Sequence, residues 1–222
     1  MSDQQRDRIL GCACDLYLEH GLDGFSMRKL AKEVGVTAPA LYRHYDGREE
    51  VLADVLREAH RTFSRYLYSA LGAPSPQERF SAAGEQYLNF VIDHPRWYGM
   101  MHTAPEHLGM EQIPEDIAGL QAATSQFWLD RVRECMEAGI LRQGDPMETA
   151  ITMWAHAHGM VQLYHQRHLS QGVCRTAQAR IVSTDGDFHV IEQAFGNFRL
   201  AIEVIHRHFR YGPVHRFVVA GC

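Results

Sequence analysis

An all-α chain of about nine helices is predicted, and three observations predict it. Gly and Pro punctuation cuts the 222 residues into segments whose apolar side chains recur at helical spacing. Alternating strand patterns are weak throughout, and "FVVA" near the C-terminus is too short to build a sheet on. No repeat of fixed period suggests a solenoid.

In chain order, residues 3–20 carry Ile9, Ala13, Leu16 and Tyr17 on one face and should stop at Gly21, a C-terminal breaker. Ser26 caps a second helix that runs to Val34, and Thr37 caps a third that runs to Tyr45, with Pro39 tolerated in its first turn. Asp46 is placed as the cap of a longer fourth helix bearing Val51, Leu52, Val55, Leu56 and Phe63. That helix fades into "GAPSP" at residues 72–76, a candidate boundary. Further helices are expected over 77–93, 96–103, 114–138, 146–169 and 187–210, with 170–186 read as a long loop. The architecture implied is a small N-terminal domain, residues 1–47, followed by a helical bundle, residues 48–222.

Composition narrows the function. Five cysteines are an odd number, and Cys12 and Cys14 fall on different faces of a helix, so neither paired bridges nor a zinc cluster is suggested. "MSDQQRDRIL" has no apolar core of a signal peptide, and no run of about 18 apolar residues occurs, so a soluble cytoplasmic protein is expected, without membrane partners. The net charge of -5 argues against a protein that coats nucleic acid, but the charge is uneven. Residues 26–45 hold Arg28, Lys29, Lys32 and Arg43 against Glu33 alone, a basic patch on an acidic body.

Within "LAKEVGVTAPAL", Leu30, Ala31 and Val34 form one helical face, Gly35 permits a left-handed turn, and Val36 and Leu41 return to the same core. Two helices so spaced fit a helix-turn-helix, whose second helix lies in the DNA major groove; the same spacing also fits an ordinary αα-corner. On a 3.6 period Leu41 and Tyr45 face inward, while Ala38, Tyr42, Arg43 and His44 point partly outward.

The run from Ile9 to Leu52, with "FSMRKLAKEVGV" and "TAPALYRHYDGREEVL", resembles the DNA-binding domain of TetR-type transcriptional regulators. The resemblance covers about a quarter of the chain. It implies a homodimer on a pseudo-palindromic double-stranded operator, released by a small-molecule effector. It further implies that Thr37, Ala38, Pro39 and Ala40 sit at the groove, that Tyr42, His44 and Arg48 grip phosphates, and that Ser26 and Arg28 anchor the flanking backbone. Arg43 is the candidate for direct base reading, because its fork can take guanine O6 and N7 together. Ala38 and Ala40 stand where many relatives carry longer readers, and Gly47 where a helix-friendly polar residue is common.

The C-terminal part is rich in aromatic residues and Met. Such residues form a bundle core, and together they also suit a pocket for an apolar or mixed ligand, with Trp97, Met101, Trp128, Trp154, His158 and Tyr164 as the candidates. "MWAHAHGMVQLY" resembles a C-terminal domain type of the same family marked by Trp, His and Gly, here Trp154, His158 and Gly159. Gly159 should admit a close helix neighbour, and Ile151, Trp154, Val161 and Leu163, with Ile191, Phe195, Phe198, Ile202 and Ile205, form stripes suited to dimer pairing.

Fourteen histidines raise a competing class, a metal-binding bundle or oxidative metalloenzyme. "EVIH", ending at His206, has the Glu-x-x-His spacing of di-iron bundles, but no second copy exists, and pairs such as His165 and His168 are too few for a site. No metal site, cofactor or catalytic residue is assigned. There is no Gly-x-Ser-x-Gly elbow and no phosphate-binding glycine loop.

Overall fold

The computed structural model describes residues 2–103 and 105–165, and the elements described are helical. Helix α1 spans Asp3–Gly24 and opens on Ser2, whose side chain accepts the Gln5 N–H. Gly21 breaks the helical path at φ +64°, as a glycine can, yet the chain regains one more turn before Phe25 rather than ending there. Helix α2, Met27–Val34, is capped by Ser26 and ends on Gly35 at φ +76°, which returns its N–H to Ala31 and Lys32. Helix α3 is shorter than expected, Ala38–Tyr42. His44 and Tyr45 both donate to the Leu41 carbonyl, so the tail is a tight turn rather than a helical extension.

Helix α4, Arg48–Ser69, is not capped by Asp46. Gly47 occupies the cap position with an extended backbone, and the Glu50 carboxylate reaches back to accept the Asp46 N–H. The acidic first turn, Glu49 and Glu50, also suits the positive end of the helix dipole. Past a 3-10 turn at Ala70–Gly72, the "GAPSP" stretch is a compact corner. Ser75 and Glu78 form a reciprocal capping box, and α5, Pro76–Asp93, begins at once. Helices α6 (Pro95–Met101), α7 (Glu115–Glu137) and α8 (Pro146–His165) follow, α6 and α7 separated by a 3-10 turn at Pro105–Leu108. The helix and loop expected beyond residue 165, with their apolar stripe and His168 and His206, lie outside the described residues.

Helix α4 is the axis of the molecule and touches α1, α5, α6 and α7. Its first half, with Val51, Leu52, Val55 and Leu56, closes a core with α1, α2, Leu41 and Tyr45, to which Met100, Leu108 and Ile117 also belong. Its second half, with Phe63 and Leu67, joins α5, Tyr98, Phe127 and the α8 residues Ala157, Met160 and Val161 in another. Burying each such large side chain contributes roughly 1.5–3 kcal/mol. A smaller cluster joins Phe80 to Val132, Met136 and Leu141. Val161 is therefore core, not part of an outer stripe. Among the described residues, a Cβ at Gly159 would meet nothing within 4 Å.

Candidate nucleic-acid interface and histidine-tyrosine cluster

Helix α3 divides as its spacing requires. Leu41 and Tyr45 are buried, while Tyr42 is 54% exposed and Arg43 and His44 stand in solvent beside exposed Thr37 and Pro39 and half-buried Ala38 and Ala40. Thr37 occupies the N-cap position, but its side chain makes no capping bond and stays available. At the start of α2 the Ser26 hydroxyl accepts the Lys29 N–H at 3.2 Å, Arg28 is exposed, and the Lys29 ammonium donates to the Gly24 carbonyl at 2.8 Å. Arg28, Tyr42, Arg43 and His44 are all solvent-exposed. Arg48 is the exception, because its guanidinium is engaged within the chain: Nε donates to Glu49 at 2.9 Å and Nη1 to the Leu22 carbonyl at 3.2 Å.

A buried carboxylate fixes this reading face from behind. Asp54 accepts from Arg6 through Nη2 (2.7 Å) and Nε (3.2 Å), from Arg57 at 3.1 Å and from the Tyr45 hydroxyl at 3.0 Å. Burial opposes its ionisation, but those donors outweigh burial and hold its carboxyl below the usual range. Arg57 also pairs with Asp116 at the start of α7, so one chain of ion pairs runs from α1 through α4 to α7, with the Tyr45 hydroxyl joined to it by a hydrogen bond.

Of the six candidates of the C-terminal part, Trp154 and His158 belong to a second polar cluster. The Tyr98 hydroxyl lies 2.6 Å from His158 Nδ1 and 2.9 Å from the Tyr87 hydroxyl. His158 stacks between Trp154, at 5.5 Å, and His102, at 4.5 Å; Trp154 itself is half exposed. Trp97 stacks on His94 at 5.1 Å and bridges the two large cores. Met101, Trp128 and Tyr164 pack against the same α4–α5–α8 core, Trp128 meeting Phe127 and Phe80 edge-on. Burial lowers the pKa of His60, His102, His158 and His165. Among the described residues no group of three or more His, Cys, Asp or Glu side chains is arranged to hold a metal, and no helix is long and apolar enough to cross a membrane.

Residues 9–55 match the description of bacterial regulatory proteins of the tetR family, and residues 80–182 that of a tetracyclin repressor-like C-terminal domain. The HTH-type transcriptional repressor KstR2 of Mycolicibacterium smegmatis is 30% identical over 141 residues, which cover 62% of this chain and 68% of that relative. The chain belongs to the TetR family. The biofilm operon negative regulator IcaR of Staphylococcus epidermidis is 28% identical over 112 residues, 48% of this chain. The chain spans 58% of the length of IcaR. In fold it is similar to the TetR-family regulator PfmR of Thermus thermophilus, at a TM-score of 0.69 and 21% identity, covering 82% of this chain and 97% of that one.

For this TetR-family chain, the sequence reading missed the residues that organise both sites from behind. Asp54 and His60 sit inside the apolar run of α4, between Val51, Leu52, Val55, Leu56, Ala59 and Phe63. A charged or ionisable residue on that face was a legible sign of a buried network. Tyr98 and His102 gave no such sign, because their partner His158 is 60 residues from Tyr98 in sequence.

Proposed function

We propose that this TetR-family chain is a ligand-responsive transcriptional repressor, acting in the cytoplasm as a homodimer on a two-fold operator, and not an enzyme. The observation that carries the reading is the division of α3, with Leu41 and Tyr45 locked into the core and Tyr42, Arg43 and His44 presented to solvent on a face whose charges are basic. A helix so held offers its outer row to a major groove, Arg43 to a guanine, Tyr42 and His44 to phosphates. Thr37, Ala38, Pro39 and Ala40 supply methyl groups and one hydroxyl at the groove, and Ser26, Arg28 and Arg48 grip the flanking backbone. Exposed Ile151 and Trp154 on α8 contribute to pairing with a second copy, which holds two recognition helices about 34 Å apart.

In this reading residues 1–47 read DNA and 48–222 bind the effector and dimerise, with α4 as the lever. The effector lies among Trp97, Met101, Trp128, Trp154, His158 and Tyr164, and shifts α4 against the strap formed by Arg57 and Asp116. A differential affinity of about 1–3 kcal/mol between the two arrangements is enough for such coupling. Selection of bound fragments from random DNA by the purified chain tests the reading. A palindromic motif with half-sites about one helical turn apart is expected, and enrichment of an unpaired motif, or of none, overturns it.

A further inference from the structure

We propose that the ligand taken up by this chain is a small organic acid whose carboxylate seats among His60, His102, His158 and His165, with its apolar body against the aromatic side chains beside them. The inference rests on the effector response proposed above and names the chemistry of that site.

Four helices bring these imidazoles together. His60 comes from α4, Tyr98 from α6, His102 from the C-cap of α6, His158 and His165 from α8, and Gln121 of α7 reaches His60 at 3.3 Å. The rings of His102 and His158 lie 4.5 Å apart, and those of Tyr98 and His165 5.6 Å. Hydrogen-bond roles then fix where protons point. The Gln121 amide nitrogen faces His60 Nε2 and donates to it, so Nδ1 carries the hydrogen of the neutral ring. That Nδ1 is buried without a partner, on a residue 5% exposed. The Gln162 amide nitrogen likewise donates to His158 Nε2, at 3.4 Å, leaving His158 Nδ1 to donate to the Tyr98 hydroxyl. His102 Nδ1 donates to the Tyr98 carbonyl at 2.8 Å, and His165 Nε2 is buried with no partner among the described residues. Unmet buried polar atoms destabilise a fold, and two in one cluster point to a group that completes it.

Charge selects the group. Among the described residues, the titratable neighbours facing the imidazoles include Tyr98 from α6 and Tyr87 from α5, which hydrogen-bonds Tyr98, together with one another. Burial, then the charge of His102, keep His60 down at about 4, and burial is also the first cause of the lowered values of His102, His158 and His165. Among the described residues, a cationic ligand would find no counter-charge here. A carboxylate needs donors and a positive partner to leave water, and these rings supply both once one of them takes up a proton. His60 lies six positions beyond Asp54 on α4, under two helical turns, so its capture acts on the helix that holds the reading face.

The test uses the full chain and titration calorimetry with hexanoate, octanoate and phenylacetate, each against its primary amide. The acids are expected to bind with uptake of a proton, seen as a heat that varies with the ionisation enthalpy of the buffer. Their affinity should weaken by up to about tenfold per pH unit between pH 6 and 8, where the free acids are already ionised. The amides should bind at least about tenfold more weakly, and His60→Leu should erase the preference. If that variant does not fold, the acid-amide ratio and pH dependence of the unaltered chain decide. Equal binding of acids and amides, an affinity independent of pH, or no binding by any probe overturns the inference. Release of an operator fragment by amides as readily as by acids overturns it while leaving the regulator reading intact. Proton-linked acid binding by a chain that selects no DNA motif does the reverse.

Discussion

Two polar networks are sunk into apolar cores along α4, and they are built on opposite terms. Around Asp54 the polar groups are charged and matched: one carboxylate receives four hydrogen bonds, from two guanidiniums and a tyrosine hydroxyl. Near Tyr98, among the described residues, they are imidazoles without a counter-charge, and ring nitrogens of His60 and His165 are left unmet. A matched network fixes one arrangement of its helices, because any other leaves a charge unpaired. An incomplete one leaves free energy to be gained when a guest arrives. In the proposed reading the DNA-facing end is the fixed one, and responsiveness is concentrated under two turns further along the same helix.

The sharpest way to break this contrast is to remove one centre from each network. Asp54→Ala strands Arg6 and Arg57 and should lower stability by about 2–3 kcal/mol in urea unfolding near pH 7.5, less than for a fully buried pair because both arginines keep some solvent. His60→Leu removes an orphaned polar group and fills the space with carbon, so it should fall within about 1 kcal/mol of the parent or above it. Equal losses from both substitutions would dissolve the distinction between matched and unmatched.

Acidification offers a second separation. The ordinary pKa of His60 is 6.5 and the folded value about 4, so below pH 6.5 the unfolded chain binds a proton that the native chain refuses. Stability is present above pH 6.5 and drains away as pH falls towards about 4, on the order of 3 kcal/mol for this residue. His102, His158 and His165, shifted the same way, add to it. Asp54 is lowered from 3.8, so its contribution persists through that window and is lost only as pH falls through its depressed value. Unfolding free energies measured from pH 8 to 4 should slope downward, and His60→Leu should flatten the slope. A flat parent curve would mean that the cluster is already hydrated or paired.

The comparison also explains what could be read in the sequence. Helix-turn-helix signals are local: Ser26 caps three residues ahead, and Gly35 turns a helix with its own backbone. Where local signals misled, another nearby group had taken the role. Glu50 satisfies the Asp46 N–H, leaving Gly47 at the cap position, and Ser75 converts an apparent boundary into a helix start. The candidate aromatic residues were legible as a set, since α8 spacing stacks Trp154 on His158. The networks behind both sites were not. Arg6 meets Asp54 across 48 positions and Tyr98 meets His158 across 60, distances over which helical period carries no register.

Thr37 sharpens the contrast inside the reading face. It occupies a cap position without making the cap bond, whereas Ser26 makes one. Ser26→Ala should therefore cost about 1 kcal/mol of stability as well as DNA affinity. Thr37→Ala should leave stability within about 0.5 kcal/mol while still weakening operator binding, as thermal melts and fluorescence titrations of the two variants can determine.

Arg48 should give the smallest effect on DNA binding. A solvent-exposed cation such as Arg43 brings its whole charge to the duplex, and Arg43→Ala is expected to lose about 1–3 kcal/mol at one base pair of an operator. Arg48 instead donates to Glu49 and to the Leu22 carbonyl, so a phosphate must compete with an existing carboxylate for the same guanidinium. Its removal should weaken operator and random DNA alike and change the salt slope by less than the value of about one that a free phosphate contact carries. A full unit of slope in Arg48→Ala would show that Glu49 yields on binding, and would place a moving part at the N-terminus of α4, in the half of the molecule argued above to be fixed.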